Sequence, residues 1–495
     1  MAQRTVTPYL LLILSLLSFA ALCVVQRAPM ADALVYRAEG EAVVHGGDLY
    51  GFTVTEWQLP ATYPPFAAAL FVSATWLPVP AMKAAFLAGN ALLLAGFVAL
   101  SVRLTGRTVR ATAVCTATAL ALWLEPVFQT VLFGQINLAL GCLVLWDLTR
   151  PQGARGKGLA LGVAAGIKLT PAFFVGYLLL TGRRREAATA TAAFAGTVAV
   201  GAILLPAASV DFFTRRLFET DRVGKGWIVD NQSLLGLIAR AAGDPAPGLA
   251  WAVPAALVAV LGLWSAVRTA DERHGVLLTA LTALLISPIS WSHHWVWCVP
   301  LIAVLLSDGR TRLALTVTAV FTARTMWLLP HEGDLDLRLA WWLQPLASPY
   351  ALLGLALLGL GARRLRGARW LRDEGWWRDA RRLQGEDHSH PRFDRLHVPG
   401  RDGAEIADEV PGREGGVRVH DGRPGDGGGQ LGGQEGGRGR PGFVNLHTGG
   451  DGQPFVGEVV GDDEDAAGTA AVLDVVDVTP SHRGTPRNAS ADAPR

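Results

Sequence analysis

Asp32 stands in the segment Ala31-Asp32-Ala33-Leu34-Val35-Tyr36-Arg37, a few residues past the first apolar run, and opens a polar stretch that closes at Tyr63-Pro64-Pro65. A carboxylate at the water edge of a membrane protein can take a proton from a substrate held half in lipid, and ionisable groups in such places are functional candidates by default. Other polar groups interrupt apolar sequence at Gly134-Gln135-Ile136-Asn137, at Lys168 in Lys168-Leu169-Thr170-Pro171, at Asn231-Gln232-Ser233 and at Ser290-Trp291-Ser292-His293-His294. A lysine inside an apolar setting is expensive unless it meets an anion. Adjacent histidines on a helix diverge by about 100 degrees, so His293 and His294 divide into one functional and one structural ring more readily than they share a ligand.

The elements that must hold these groups are membrane spans. Half the residues are hydrophobic (51%), and they arrive in blocks from Tyr9 to about Gly361. Blocks of roughly 15 to 22 residues suit helices crossing a bilayer core of about 30 Å. The expected fold is all-α and polytopic, with about twelve spans between residues 9 and 362. Phe66 to Leu77 is set aside as a re-entrant or juxtamembrane helix in the first outward loop, and two short spans, 158–169 and 171–181, meet at Lys168. Basic clusters near Arg103 to Arg110, Arg150 to Lys157, Arg183 to Arg185, Arg268 and Arg273, Arg310 and Arg312, and from Arg363 onward mark the cytoplasmic side. Both termini are then cytoplasmic, and the connections 27–81, 125–134, 207–248, 290–293 and 330–345 face outward in a plasma-membrane protein. The 207–248 loop strains this rule with Arg215, Arg216, Arg222 and Lys225. On this map the carboxylate, lysine, histidines and amides gather at one membrane face, as a site between helices with a polar mouth requires. Residues 1–362 form the membrane domain, and 363–495, rich in Arg, Gly and Asp, read as a disordered cytoplasmic tail. The four cysteines lie in apolar runs and suggest neither disulfides nor a thiolate metal site.

The ordered series Asp32-x-x-Val35-Tyr36-Arg37, Gly46-Gly47-Asp48-Leu49-Tyr50, Tyr63-Pro64-Pro65-Phe66, Gly134-Gln135-Ile136-Asn137, Gly162-x-x-Ala165-Gly166-Ile167-Lys168-Leu169-Thr170-Pro171, Asn231-Gln232-Ser233-Leu234 and Ser287-Pro288-Ile289-Ser290-Trp291-Ser292-His293-His294 resembles glycosyltransferase family 87. These are actinobacterial membrane mannosyltransferases of the GT-C fold. The resemblance implies an inverting, polyprenol-phosphate-mannose-dependent alpha-1,2-mannosyltransferase, active on the outer face of the membrane on lipid-linked mannosides or lipoglycans. It implies that Asp32 is the catalytic base. A polyprenyl phosphate leaving group needs positive charge, and Lys168, His293, His294 and Arg37 are the candidates to supply it. Tyr36, Tyr63, Gln135, Asn137, Asn231 and Gln232 are the candidate substrate-binding residues. The partners implied are the polyprenol-phosphate-sugar donor, the mannoside acceptor and membrane lipids, with no nucleic acid and no cofactor.

Each residue also has a plainer role open to it. Asp32 suits a helix start, Tyr63-Pro64-Pro65 suits the shaping of the following helix, and Lys168 can snorkel to the surface. Asn231-Gln232-Ser233 can cap a helix. Tyr36 and the tryptophans at 57, 76, 227, 291 and 295 suit an interfacial belt. Asp334-Leu335-Asp336 has the spacing of a two-carboxylate metal site in a later outward loop, but the first loop offers a lone aspartate, and no metal is expected. Other readings are a transferase of arabinose or glucose, a transporter or flippase, and a noncatalytic scaffold. A transporter would place its site near the midplane between internal repeats, and the two halves show no repeat.

Overall fold

The computed structural model describes residues 2–331 and 333–361 together with two paired four-residue strands, Asn445–Thr448 and Pro454–Gly457. The expectation of a disordered tail falls on the remainder of 363–495 and lies outside the described residues.

Residues 2–361 are mainly helical. The helices of the first half are α1 (Ala2–Val25), α2 (Ala31–His45), α3 (Pro65–Phe71), α4 (Val79–Leu104), α5 (Ala111–Ala121), α6 (Glu125–Phe133), α7 (Asn137–Leu148), α8 (Leu159–Ile167) and α9 (Phe173–Leu180). The second half holds α10 (Arg184–Leu204), α11 (Pro206–Thr214), α12 (Leu234–Ala242), α13 (Leu249–Arg268), α14 (Glu272–Ile286), α15 (Cys298–Ser307), α16 (Thr311–Ala323), α17 (Gln344–Ala347) and α18 (Pro349–Gly361). A small antiparallel hairpin, β1 (Thr53–Val54) and β2 (Leu59–Pro60), pairs Thr53 with Pro60 between α2 and α3.

Among the described residues, four helices are each long and apolar enough to cross a membrane: Val6–Val25, Val79–Leu104, Arg184–Leu204 and Leu249–Arg268. Their outward faces show why. Leu10, Leu14 and Leu17 on α1, and Leu249, Leu257 and Val260 on α13, are exposed on helices that would be half polar in a water-soluble protein. Two bent pairs bring the number of such helices to six. The expected count also included shorter helices such as α7, whose 12 residues reach about 18 Å at 1.5 Å per residue.

The expected span 110–124 and its outward connection 125–134 are different in the structure. Here α5 stops at Ala121, and α6 departs at 81°. Pro126 lacks an N–H to give and is at home in a first helical turn. Trp123 Nε1 donates to Ser15 Oγ at 2.8 Å, while Glu125 accepts from Trp327 Nε1 at 3.0 Å and Tyr350 OH at 2.8 Å. Buried hydrogen bonds thus pin both sides of the break. Phe66 to Leu77 does form a short helix, α3 continued by a 3₁₀ turn over Val72–Trp76, too short to cross.

Close packing is set by small residues. Gly158, Gly162 and Gly166 lie four apart along α8, and a Cβ at each would strike Glu186 O, Ala190 O and the Thr197 side chain of α10. Such small-residue stripes let membrane helices meet backbone to backbone, and here the contact fixes the C-terminus of α8, where Lys168 begins its loop.

Candidate active site

Asp32, Tyr36 and Glu39 fall at spacings of four and three on α2 and so share one face. Met30, in the left-handed region, holds the cap position of α2, and no side chain caps this helix. Asp32 is therefore not its cap. Glu39 is wholly buried and accepts the Thr62 N–H at 3.3 Å, tying α2 to the stretch that carries Tyr63. Gly134 ends α6 at φ +69 and packs against Ala33 so closely that a Cβ would collide. That approach brings Gln135 to the first turn of α2. Its Oε1 accepts from Tyr36 OH at 2.8 Å and Tyr63 OH at 3.3 Å, which turns the amide NH2 toward Asp32.

Lys168 comes from the other side, at the end of α8. Its ammonium donates to His294 Nε2 at 2.9 Å and Asn137 Oδ1 at 3.3 Å. An ammonium has three protons, so one remains for a ligand. Asn137 in turn donates to the His293 carbonyl at 3.1 Å, and Thr130 does so at 3.0 Å, locking the start of the His293–His294 turn to α6 and α7.

Asp32, Tyr63, Gln135, Lys168, Trp291 and His294 all line one cavity of about 240 Å³. Arg216 and Glu219 of the 207–248 loop stand on its wall. A second, apolar cavity of about 60 Å³ lies among Leu140, Val144, Phe174, Leu284 and Trp297. Lys168, Thr170 and His294 line both. Protein surrounds Asp32 on all sides although part of its surface opens into the cavity. That burial pushes its carboxyl up to about 7, against the opposing pull of the Gln135 amide and the Lys168 charge, with Asp230 adding to the rise. The site thus offers a proton acceptor poised near neutrality facing a cation that marks the edge of an apolar slot.

Several expected residues lie elsewhere. Arg37 donates to Ala74 O at 2.9 Å and Leu77 O at 2.6 Å and pairs with Glu41, so it braces α2 against the turn after α3 and lines neither cavity. Asn231 and Gln232 are fully buried with their amides in use. Asn231 bonds Gly226 O, Pro288 O and the N–H groups of Ser233 and Ser290; Gln232 bonds Val229 O, Ala347 O and the Tyr350 N–H. They staple loops together. Tyr36 is buried and acts through Gln135 and Tyr63. His293 lines neither cavity and packs edge-on against Phe133, at 5.8 Å, and His294, at 4.7 Å. Trp295, read as an interfacial residue, is core beside Phe321 and Tyr350. Asp334 pairs with Lys225 while buried Asp336 accepts the Val229 N–H at 3.1 Å, so the two carboxylates serve separate contacts. No cluster of three or more metal-ligating side chains occurs among the described residues.

Two carboxylates near the site escaped the sequence reading. Asp230 accepts the Ser292 N–H at 3.0 Å just before the histidines. Glu125 hid in what looked like a loop. The signal for Asp230 was its place beside Asn231, and for Glu125 its place before Pro126 in an apolar run.

A family model described as glycosyltransferase family 87 matches residues 61–288. A polyprenol-phosphate-mannose-dependent alpha-(1-2)-phosphatidylinositol mannoside mannosyltransferase of Mycobacterium tuberculosis is 33% identical over 359 residues, 66% of this chain and 83% of that protein. The corresponding phosphatidylinositol pentamannoside mannosyltransferases of Mycobacterium tuberculosis and Mycolicibacterium smegmatis are 36% and 35% identical, over 63% and 67% of this chain and 74% and 85% of theirs. A crystal structure of ArnT from Cupriavidus metallidurans bound to undecaprenyl phosphate aligns with 70% of this chain and 77% of its own at TM-score 0.34 and 18% identity. The extent of the match to the curated relatives settles the family: this chain belongs to glycosyltransferase family 87.

Proposed function

We propose that this chain transfers mannose from polyprenol-phosphate-mannose to a phosphatidylinositol mannoside, making an alpha-1,2 linkage with inversion, at the outer face of the plasma membrane. The observation that carries the reading is Lys168, held by His294 and Asn137 where the polar cavity of Asp32 meets the apolar slot of α7, α9, α14 and the Ser292–Trp297 turn. A donor with a sugar on one side of a phosphate and a hydrocarbon chain on the other needs such a junction.

The acceptor hydroxyl attacks the anomeric carbon as Asp32 takes its proton, and the bond from that carbon to the phosphate oxygen breaks. The leaving polyprenyl phosphate gains a negative charge, which the Lys168 ammonium offsets. His294 accepts a hydrogen bond from the Lys168 ammonium through Nε2 and so orients it. Tyr36 and Tyr63 hold Gln135, whose amide holds the Asp32 carboxylate toward the cavity. The family resemblance supports a GT-C arrangement of about twelve spans with α3 as a juxtamembrane helix, residues 1–362 as its membrane domain, and cytoplasmic termini. The charge map supports the outward placement of the site.

The test uses membranes carrying the wild type or Asp32→Asn, labelled polyprenol-phosphate-mannose and a mannoside acceptor. Transfer by the wild type and its loss in the variant is expected. Undiminished transfer by the variant sinks the mechanism, and transfer of arabinose or glucose in place of mannose sinks the donor assignment.

A further inference from the structure

Beside the reaction cavity lies a patch that its chemistry leaves unused. Trp57 sits at the tip of the β1–β2 hairpin and meets Phe133 edge-on at 6.5 Å. Phe133 meets His293, and His293 meets His294, so an aromatic row runs from the hairpin tip to the Lys168 partner. Along that row, four buried polar atoms find no hydrogen-bond partner among the described residues: Trp57 Nε1, Gln129 Oε1, and Nδ1 and Nε2 of His293. Gln129 is four residues before Phe133 on α6 and shares its face. His293 is only 4% exposed, so both its nitrogens are far from bulk water.

Buried polar atoms without partners are costly and need an explanation. A lipid chain would leave all four unpaired. A phosphate would want a cation, and the row supplies none. In a neutral imidazole one nitrogen donates and one accepts, so the four atoms offer two donors and two acceptors. Hydroxyl groups, which do both, match that set, and the aromatic faces match the C–H faces of a pyranose.

We infer that Trp57, Gln129, Phe133 and His293 form a subsite for a second sugar of the acceptor, next to the one attacked. The inference rests on the mannosyltransferase reading. Entry requires the hairpin tip to lift, and its build permits this: two residues per strand hold it, and Thr55 (φ 66) and Gln58 (φ 52) are non-glycine residues in the left-handed region. Leu59 and Pro60 of the same hairpin line the Asp32 cavity, so the subsite and the cavity share a wall.

The experiment compares the full chain in nanodiscs with its Trp57→Ala, Trp57→Phe and His293→Gln variants. Saturation-transfer NMR reads the binding of free mannobiose, and initial rates read KM for a dimannoside against a monomannoside glycoside. The expected result is mannobiose binding by the wild type, lost in Trp57→Ala and retained in part in Trp57→Phe and His293→Gln. The dimannoside preference in KM, about tenfold, falls toward one in Trp57→Ala. No mannobiose binding by the wild type, or equal KM changes for both acceptors, overturns the subsite and leaves the transferase reading standing. Binding that depends on Trp57 in a chain that transfers no mannose supports the subsite and overturns the donor assignment.

Discussion

The proton affinity of Asp32 should be visible in the pH dependence of transfer. Burial raises this carboxyl from 3.8 to about 7. A group with that midpoint is about half ionised at pH 7 and about one-tenth ionised at pH 6, whereas an aspartate near its reference value of about 3.9 is ionised throughout. Since the ionised form accepts the proton, the rate should fall toward tenfold per pH unit as pH drops below the midpoint. Asp32→Asn should lose about 10²- to 10⁴-fold in rate and lose the acid limb with it. The Lys168 charge lowers the Asp32 midpoint, so Lys168→Met should move the surviving limb to higher pH. The assay is the initial rate of mannosyl transfer in membranes from about pH 5 to 8.5 at saturating acceptor. Stability gives an independent sign. The folded chain binds this proton more tightly than the unfolded chain, so between about 3.8 and about 7 the contribution of Asp32 to stability declines as pH rises. Thermal unfolding of the wild type should therefore lose ground to Asp32→Asn across that window. A wild-type rate that stays flat to pH 5, or an Asn variant that keeps the acid limb, refutes the assignment of Asp32 as base.

Three other perturbations separate the chemistry from the scaffold. Lys168→Met should lower the transfer rate by about 10²- to 10³-fold at a pH where Asp32 is ionised, the usual loss on removing a group that stabilises developing negative charge; a loss under threefold would show that the phosphate is held elsewhere. Asn231→Ala removes four hydrogen bonds to buried backbone, and at about 0.5 to 1.5 kcal/mol each the thermal midpoint in detergent should drop sharply; an unchanged midpoint with a raised acceptor KM would restore the substrate-binding role. Gly162→Leu drives a side chain into the α10 backbone, so folded yield should collapse while Gly162→Ala loses less, read by size-exclusion chromatography of solubilised protein.

What could be read before the structure, and what could not, divides along a physical line. A polar residue in apolar sequence announces that it needs a partner, because leaving it unpaired costs free energy. Asp32, Lys168, Gln135, Asn231 and Gln232 all carried that announcement equally. The partner is another matter, since backbone carbonyls and N–H groups look the same at every position of a sequence. Asn231 and Gln232 turn out to divide their amides between backbone within five residues and backbone of the 287–290 turn and the α17–α18 corner, which lies far from them in the chain. Arg37 does the same with Ala74 and Leu77. The divergence of the two histidines was legible because helical geometry fixes it locally, yet which of them would meet Lys168 depended on where α8 ends, and that depends on glycines packing against α10. The bend after α5 was invisible because an apolar run suits a continuous span as well as a broken one, and Glu125 therefore passed as a loop residue. The hairpin tip misled in the same way: Trp57 suits a membrane interface by type, and only its contact with Phe133 puts it on the row that leads to the site. Spare hydrogen-bonding capacity sets Lys168 and His293 apart from Asn231 and Gln232. Asn231 and Gln232 have their amides in use within the chain, whereas Lys168 keeps one N–H and His293 keeps two nitrogens unmet among the described residues, which is the capacity that the proposed donor and acceptor would use.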